Sequence, residues 1–430
     1  MLSGVLPSDW PIQFIDAAIN RLSPERTLAM VEQAKPDGII MAMSSVVWSE
    51  DFAFLQHVRK SFPRVKLIIF GEVFKDQQFA QKALGYADGL IFDPLRSQIV
   101  EALEGKVSAT ATWIPAKKNN RELRIHIPRH DLFDNIRYRW PFVKHFRFAC
   151  VFTQCGCPFV CSYCPESTTH VTYRPAENIL EELDSIKSSG YRELHIGDAS
   201  FGYPVENARR LLVGMYEKNY GFSWSAYVYP GLANATTLEL MAKTGCHTVV
   251  IGIDSADGAL LEKYGRRLAQ GKIRDFISEC RRNGIMVCGD LMLGFAEDDR
   301  DSCMRTVELA VELDLDYASF NIVSPMIGSS IREDYKKKGL ISDESVGFET
   351  TGTIAVSATP NISPSELMEL RSLAVRRFYL RPSYFLKRLK ALRGPEDFLI
   401  QANEGYGVIL RLIQERLKSQ RAPTLSGEGF

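Results

Sequence analysis

Residues 147–165 read RFACVFTQCGCPFVCSYCP and carry the densest group of cysteines in this chain of 430 residues. The first part, RFACVFT, has the apolar character of a buried strand. The second part places Cys157, Cys161 and Cys164 in a C-x3-C-x2-C array. Thiolates at this spacing on one loop can converge on a single metal cluster, so the stretch predicts a metal site at the end of a strand.

Three interpretations of these cysteines are open. A [4Fe–4S] cube normally takes four cysteines, so three leave one iron open, and an open position is how a metal site accepts a substrate. A structural zinc could instead add Cys155 or His170 as its fourth ligand, and inert core thiols are the third interpretation. The close spacing favours the cluster, with Cys155 as a bystander. The isolated cysteines are predicted to lie in the core: Cys150, Cys246, Cys280, Cys288 and Cys303.

Composition predicts a soluble, cytoplasmic enzyme. Apolar residues make up 45% of the chain, and Lys+Arg equals Asp+Glu at 52 each. A neutral chain has no default attraction for nucleic acid or an anionic membrane. Met1–Asp9 lacks the basic and apolar regions of a signal peptide, and no apolar run is long enough to span a membrane. A reducing compartment also argues against disulfides among the nine cysteines.

The first 105 residues alternate short apolar runs with amphipathic stretches, from PIQFIDAAI at 11–19 to ADGLIFD at 87–93. Strands that alternate with helices are typical of a parallel α/β sheet covered on both faces. We predict a small Rossmann-like, doubly wound domain over residues 1–105 that has neither a G-x-G-x-x-G motif nor a P-loop. A connector over residues 106–146 follows it.

A second α/β series begins at Arg147. Its strand-like segments are RFACVFT, RELHIGD, FSWSAYV, HTVVIGID, IMVCGDLML and DYASFNIVS. Amphipathic helices are predicted at 176–189, 205–219, 237–244, 273–283 and 300–313. The series predicts a partial (β/α)6 TIM-like barrel over residues 147–325, whose active site lies at the carboxyl ends of the strands. A helical C-terminal region over 326–420 and a tail at 421–430 complete the prediction.

The cysteine loop on the first strand of such a barrel resembles the radical S-adenosylmethionine (SAM) superfamily, over about Arg147 to Val323. The resemblance implies that a [4Fe–4S] cluster on Cys157, Cys161 and Cys164 chelates the amino and carboxylate groups of SAM through its open iron. The cluster then donates one electron and cleaves SAM to a 5′-deoxyadenosyl radical. The resemblance further implies a small-molecule substrate and a reductant such as flavodoxin or ferredoxin.

The same resemblance suggests which residues hold SAM. Asp198 matches the acid of a turn that contacts the methionine amine, and Asp254 and Asp290 match segments that face the ribose. Arg266 matches a basic residue whose guanidinium can fork onto the cofactor carboxylate. Tyr163, between the last two cluster cysteines, would contact the adenine. Each acid alone could instead cap a helix or lie in a solvated loop.

The small first domain resembles the cobalamin-binding subgroup, which includes the anaerobic magnesium-protoporphyrin ester cyclase, hopanoid-modifying enzymes and carbon methyltransferases. The chain departs from that pattern, because it lacks the opening strand and helix and a D-x-H-x-x-G motif. In addition, FGEVFKD at 70–76 stands where a Gly-Gly pair is usual. Cobalamin binding is therefore an open alternative.

The resemblance leaves several reactions open. With cobalamin, we expect methyl transfer to an unactivated carbon of a tetrapyrrole- or lipid-like molecule, or a cyclase-type oxidation. Without cobalamin, we expect hydrogen abstraction and rearrangement. An alternative of a different class is a non-catalytic iron–sulfur or zinc scaffold.

Overall fold

The structure, a computed structural model, describes residues 1–91, 99–106, 122–133, 137–343 and 359–390, together with Gly405 and Gly407. Parts of the predicted connector lie outside these residues. Apart from Gly405 and Gly407, so do the last predicted helix, at 406–420, and the tail at 421–430. The predicted domain boundaries therefore stay predictions.

The N-terminal part of the chain forms a small sheet. Among the described residues its three strands are parallel and ordered as in the sequence: β1 (Gly38–Ala42), β2 (Lys66–Phe70) and β3 (Gly89–Ile91). The helices of this part are α1 (Pro24–Ala34), α2 (Trp48–Ser61), α3 (Gln77–Leu84) and α4 (Ile99–Leu103). Because parallel crossovers are right-handed, α2 and α3 lie on one face of the sheet.

Both faces of this small sheet are covered, as the α/β prediction requires. Leu67 packs in the core formed with α2 and α3, whereas Ile68 faces Ile99 of α4 and the N-terminal segment. The apolar run at 11–19, which opened the predicted alternation, forms no strand: residues 11–16 have no regular structure and 17–21 form turns. The physical reason is local, since Asp16 accepts a hydrogen bond from the backbone N of Ile19 at 2.9 Å and closes a turn.

The second sheet is the predicted partial barrel. Its strands are β4 (Phe148–Val151), β7 (Glu193–Phe201), β8 (Ser223–Val228), β9 (Cys246–Asp254), β10 (Met286–Leu293) and β11 (Tyr317–Ile322). Within the described ranges these six strands are all parallel and follow the chain in order, with β4 and β11 at the two edges. A short antiparallel pair, β5 (Gln154–Cys155) and β6 (Thr172–Tyr173), flanks the cysteine loop.

The helices of this part are α5 (Ala176–Ser188), α6 (Val205–Lys218), α7 (Ala235–Lys243), α8 (Gly258–Lys263), α9 (Gln270–Arg282), α10 (Arg300–Glu312), α11 (Ser330–Lys337), α12 (Pro364–Tyr379) and α13 (Pro382–Lys390). All except α8 and α11 pack on the outer face of the barrel, whereas α8 and α11 pack against the cysteine loop. The local sequence fixes where several helices begin. Asp299 and Ser302 form a capping box at the start of α10, and Ser363 and Glu366 form one at the start of α12. Among the helices that the structure describes, none is both long and apolar enough to cross a bilayer.

The strands divide the barrel into an apolar outer face and a more polar inner face, because side chains alternate along a strand. On β8, Trp224 is fully buried in the outer core and Ser225 bonds to His195. On β4, Cys150 lies on the opposite face from Ala149 and is exposed. Its predicted core position is therefore wrong. The other isolated cysteines are buried as predicted: Cys246, Cys280, Cys288 and Cys303.

We predict that Asp298 fixes the loop that links β10 to α10. Its carboxylate is buried and accepts hydrogen bonds from the backbone N of Gly294 and Phe295 and from Ser302 Oγ, at 3.0, 2.9 and 2.6 Å. Asp298→Ala leaves two buried N–H groups without an acceptor. The free energy of unfolding should therefore fall by about 2 kcal/mol or more. Urea unfolding followed by circular dichroism measures this loss. Asp275→Ala, at an exposed position of α9, is the control and should change little.

Candidate functional site

The cysteine loop is seated on segments that follow two other strands of the barrel. The backbone N of Ser162 donates to the carbonyl of Tyr264, beyond β9, at 2.9 Å. The carbonyl of Ser162 accepts from the backbone N of Ile331, beyond β11, also at 2.9 Å. The loop therefore lies at the carboxyl ends of the strands, where the sequence predicted the site.

The three predicted cluster ligands lie together in this loop as free thiols. Cys161 is buried, and Cys157 and Cys164 are partly buried. Burial raises the pKa of all three thiols, that of Cys164 to about 11, and each charged thiolate would repel its neighbours. The guanidinium of Arg266 opposes this by lowering the pKa of Cys157 and Cys161. A bound metal would have to displace the remaining protons.

The zinc and cluster alternatives differ in the arrangement of ligands that they need. Four-coordinate zinc needs its ligands around one centre, whereas in a [4Fe–4S] cube each cysteine binds a different iron. Across the described residues, no three His, Cys, Asp or Glu side chains converge as ligands of a single ion. The assignment of the three cysteines to a cluster stays a prediction.

Three of the residues predicted to hold SAM form one buried group, which includes Tyr163 of the cysteine loop. Arg266 Nε lies 2.9 Å from Asp254 Oδ2, and Tyr163 donates its hydroxyl to the same oxygen at 2.9 Å. Arg266 also donates to the carbonyl of Gly252. Burial raises the pKa of Asp254, and the neighbouring Arg266 and Tyr163 partly reverse the rise. The group thus keeps a carboxylate and a guanidinium in contact away from water.

The backbone at the end of β9 is built for this contact. A Cβ on Gly252 would lie 2.8 Å from Arg266 Nη2 and 3.2 Å from the Asp254 carboxylate, so only glycine leaves room for the ion pair. Asp254 itself adopts a left-handed φ of 63°, next to a bulge in the pairing of β9 with β10. Bulges and strained residues of this kind re-aim side chains at functional sites.

An aromatic stack connects this group to the cysteine loop. The Arg266 guanidinium lies 4.7 Å from the ring centroid of Tyr229, and Tyr229 stacks on Phe159 at 3.8 Å. Phe159 stands between the first two cluster cysteines. Tyr163 packs edge-on against Phe295 at 5.5 Å and is almost fully buried. In the structure Tyr163 is therefore part of the packing beneath the loop, and its predicted contact with adenine stays a prediction.

Asp290 stands beside the buried ion pair, in the middle of β10 rather than at its end. It is in register with Gly252 on β9. Burial, then the nearby charge of Asp254, raises its pKa to about 7, and a hydrogen bond from Ser319 limits the rise. Its surroundings therefore favour the neutral form of this carboxyl.

Asp198 lies apart from this group, at the β4 side of the barrel. Its carboxylate is buried and accepts from the backbone N of Thr153 and Gln154, at 2.7 and 3.1 Å, and from the Thr153 hydroxyl. Burial raises its pKa to about 6. Asp198 thus holds the start of the cysteine loop. It caps no helix, because α6 begins after Pro204.

One buried polar atom beside the cysteine loop suits a ligand that carries a hydrogen-bond donor. Gln154 Oε1 has no hydrogen-bond partner in the described part of the chain, whereas Arg266 Nε contacts the Asp254 carboxylate. Buried polar groups normally have partners, so this acceptor is available to a ligand. The ammonium group of SAM is a donor of the matching kind. Gln154 was missed from the sequence, where only its place beside Cys155 marks it.

At the carboxyl edge of the small sheet, the described residues that follow β1 and β2 contact one another. Glu72 Oε1 accepts from Ser44 Oγ and from both N and Oγ of Ser45, at 3.2, 2.8 and 3.0 Å. A Cβ on Gly71 would lie 1.9 Å from the carbonyl oxygen of Met43. The described side chains at this edge therefore bind one another.

Residues 151–310 match the model of the Radical SAM superfamily. The chain contains a radical SAM domain. This confirms the predicted superfamily and the prediction of an enzyme, and the domain implies a [4Fe–4S] cluster and SAM. The match includes all eight predicted site residues, although it does not assign a role to any of them.

Several proteins are similar to this radical SAM chain. An uncharacterized methyltransferase of Pyrococcus horikoshii is 27% identical over 268 residues, which cover 61% of this chain and 57% of that protein. The cytidylyl-2-hydroxyethylphosphonate methyltransferase of Streptomyces wedmorensis is 23% identical over 272 residues, which cover 60% of this chain and 50% of that protein. The matches thus span little more than half of these curated relatives.

A solved structure shows that the fold likeness extends beyond the barrel. It is the radical SAM methyltransferase TsrM of Kitasatospora setae with cobalamin and a [4Fe–4S] cluster bound. The TM-score is 0.63 at 14% identity, over 96% of this chain and 94% of that one. The small sheet and the radical SAM barrel therefore occur together in a known arrangement.

The raised pKa of Asp290 predicts a pH dependence of stability. Its ordinary pKa is 3.8 and the folded value is about 7, so the folded state retains a proton that the unfolded chain loses. The contribution of Asp290 to stability is therefore fully present at low pH and is lost as the pH rises through this window. Relative to wild type, Asp290→Asn should gain about 3 kcal/mol between about pH 4 and pH 7.

Urea unfolding of the two proteins across this pH range measures the difference. Asp275→Asn, at an exposed position, is the matched control and should follow the wild-type curve. Parallel curves for wild type and Asp290→Asn would show that the pKa of Asp290 is the same in the folded and unfolded states, which would contradict the prediction.

Proposed function

We propose that this chain is a radical SAM enzyme that transfers a methyl group from SAM to a carbon atom of a small molecule. The observation that carries the proposal is the joint position of three free cysteines and the buried Asp254–Arg266 pair at one end of the barrel. Both relatives described above are named methyltransferases, which favours methyl transfer over cyclisation or rearrangement.

We assign the cluster to Cys157, Cys161 and Cys164. When bound, the cluster supplies the electron that breaks a carbon–sulfur bond of SAM. We assign no ligand role to Cys155, which pairs with Thr172 in the β5–β6 ladder and precedes the C-x3-C-x2-C array. The fourth iron is then free for SAM.

The protein side chains would bind and orient the cofactor. The Arg266 guanidinium suits the SAM carboxylate, because a guanidinium can form paired hydrogen bonds to a carboxylate. Gln154 Oε1 suits the SAM ammonium, because it is a buried acceptor without a partner in the described part of the chain. Asp254 and Asp290 can accept from the ribose hydroxyls. Tyr229 and Phe159 shield the cluster side of this group from water.

We infer the class of the substrate from the side chains on the inner face of the barrel. Beyond the two acids it carries the hydroxyl of Ser319 and the amide of Asn321, which bond to each other at 3.2 Å. Tyr227 adds an aromatic ring beside Asp290. Hydroxyl, amide and carboxyl groups suit a substrate with hydrogen-bonding groups better than a purely lipidic one.

The proposal predicts that Cys161 is required and Cys155 is not. Anaerobically reconstituted, dithionite-reduced wild type should cleave SAM to methionine and 5′-deoxyadenosine. With hydroxocobalamin added, which dithionite reduces to a methyl acceptor, it should also form S-adenosylhomocysteine; both adenosyl products are quantified by mass spectrometry. Cys161→Ala removes one thiolate ligand, so its iron content and both products should fall to background. Cys155→Ala should retain the cluster and both products.

The measurements separate the alternatives. If Cys161→Ala formed both products at the wild-type rate, the assignment of the cluster to Cys157, Cys161 and Cys164 would be wrong. A wild type that holds iron yet consumes no SAM would favour the scaffold interpretation. Formation of 5′-deoxyadenosine without S-adenosylhomocysteine would favour hydrogen abstraction without methyl transfer.

Cobalamin is the methyl carrier that the resemblance implies, and Glu72 is the residue that decides whether the small sheet can accept it. Glu72→Gly restores a Gly-Gly pair at 71–72 and releases the donors of Ser44 and Ser45. We expect this variant to bind hydroxocobalamin more tightly than wild type in a visible-absorption titration. Glu72→Gln keeps an acceptor and should match wild type. Equal affinities for all three proteins would mean that this edge is not the binding surface.

A further inference from the structure

The segment FGEVFKD at 70–76 reaches from the small sheet to the cysteine loop. Lys75 Nζ donates to the carbonyl of Pro165 and to Thr169 Oγ1, both at 2.8 Å, and lies 3.6 Å from Glu166 Oε1. These three partners belong to the turn that directly follows the cluster ligand Cys164. A single lysine of one part of the chain thus makes several contacts beside the predicted cluster.

Lys75 is held firmly in this position. Its side chain is only 10% exposed, which is unusual for lysine. Its methylene groups pack on Gly328, where an added Cβ would lie 2.3 Å from Lys75 Cδ. Gly328 in turn accepts a hydrogen bond from Thr168 Oγ1 at 2.8 Å. The lysine, the turn and the loop after β11 therefore pack as one unit.

The neighbouring residue adds a second attachment. Asp76 lies 3.6 Å from Lys336 Nζ and 3.9 Å from Arg332 Nε, both on α11. Ile327, just before that helix, is buried in the core of the small sheet. The small sheet is therefore anchored to the barrel on both sides of Lys75.

The turn that Lys75 contacts is connected to the cluster ligand itself. Ser167 donates its backbone N and its hydroxyl to the carbonyl of Cys164, at 3.2 and 2.7 Å. Pro165 follows Cys164 directly and has a restricted φ. A shift of the turn would therefore move the backbone of Cys164.

We propose that Lys75 is a positioning residue for the iron–sulfur cluster, through which the small N-terminal sheet fixes the turn that carries Cys164. The small sheet then has a role in the barrel chemistry whether or not it binds a ligand of its own. The segment 70–76 departs from the Gly-Gly pattern because its residues serve contacts within the chain. The inference rests on the cluster of the proposed function.

The test compares variants of the full chain that remove the contact from either side. Lys75→Met keeps the aliphatic stem on Gly328 and removes the charged donor, and Thr169→Val removes one acceptor without touching the small sheet. Lys60→Met, at an exposed position of α2, is the matched control. After anaerobic reconstitution, the readouts are the rate at which a chelator removes iron and the electron paramagnetic resonance spectrum of the reduced cluster.

We expect Lys75→Met to lose iron roughly tenfold faster than wild type, since a hydrogen bond to a charged group is worth a factor of that order. Its resonance spectrum should also shift, and Thr169→Val should show a smaller change in the same direction. The double variant should be no worse than Lys75→Met, because the two residues share one contact. Lys60→Met should match wild type.

Two results overturn the inference. One is a wild-type rate of iron loss and an unchanged spectrum in Lys75→Met. The other is a double variant whose effects simply add, which would mean that the two residues act independently. If wild type itself takes up no iron, the proposed function is wrong and this inference is wrong with it. Iron uptake by wild type therefore separates a failure of the proposed function from a failure of the Lys75 contact. If Lys75→Met does not fold, a wild-type rate of iron loss and an unchanged spectrum in Thr169→Val would show that the contact does not position the cluster.

Discussion

The buried contact between Asp254 and Arg266 is the interaction on which the site depends. Taking both charges out of water is costly, and such a pair persists only when its remaining hydrogen-bonding groups are satisfied. Here Gly252, Tyr163 and Tyr229 surround it with a carbonyl, a hydroxyl and a ring face. Because Tyr163 belongs to the cysteine loop and Tyr229 stacks on Phe159 of the same loop, the ion pair also seats the cysteines. The cluster position and the cofactor position are thus set together.

The site accumulates groups that work against stability. Asp254 and Asp290 are close enough to repel each other, Asp198 is fully buried, and the thiols of the loop are hard to ionise where they lie. Strongly shifted pKa values are concentrated at functional sites, because burial and like charges are what tune them. Acids, a guanidinium and thiols in one buried site suit the charged, metal-containing cofactor of the proposed function.

The small N-terminal sheet combines a familiar fold with an unusual edge. At the end of β2, Glu72 bonds to Ser45, and the residues that follow reach the turn beyond Cys164. Glu72 stands where the cobalamin-binding pattern usually has a glycine, and in this structure its carboxylate is engaged by residues of the chain itself. A fold can keep its architecture while its binding edge changes.

Sequence alone determined the six barrel strands, the cysteine array and the superfamily, because strand periodicity and ligand spacing are local properties. It also identified Asp254 and Arg266, which are twelve residues apart and meet across one strand end. It failed where distant segments decide: it put Cys150 in the core, read a strand into residues 11–19, and gave no sign that Lys75 contacts Thr169. Which face a residue turns to, and which partner a buried charge finds, depend on packing between segments far apart in the chain, and only the tertiary structure fixes that packing.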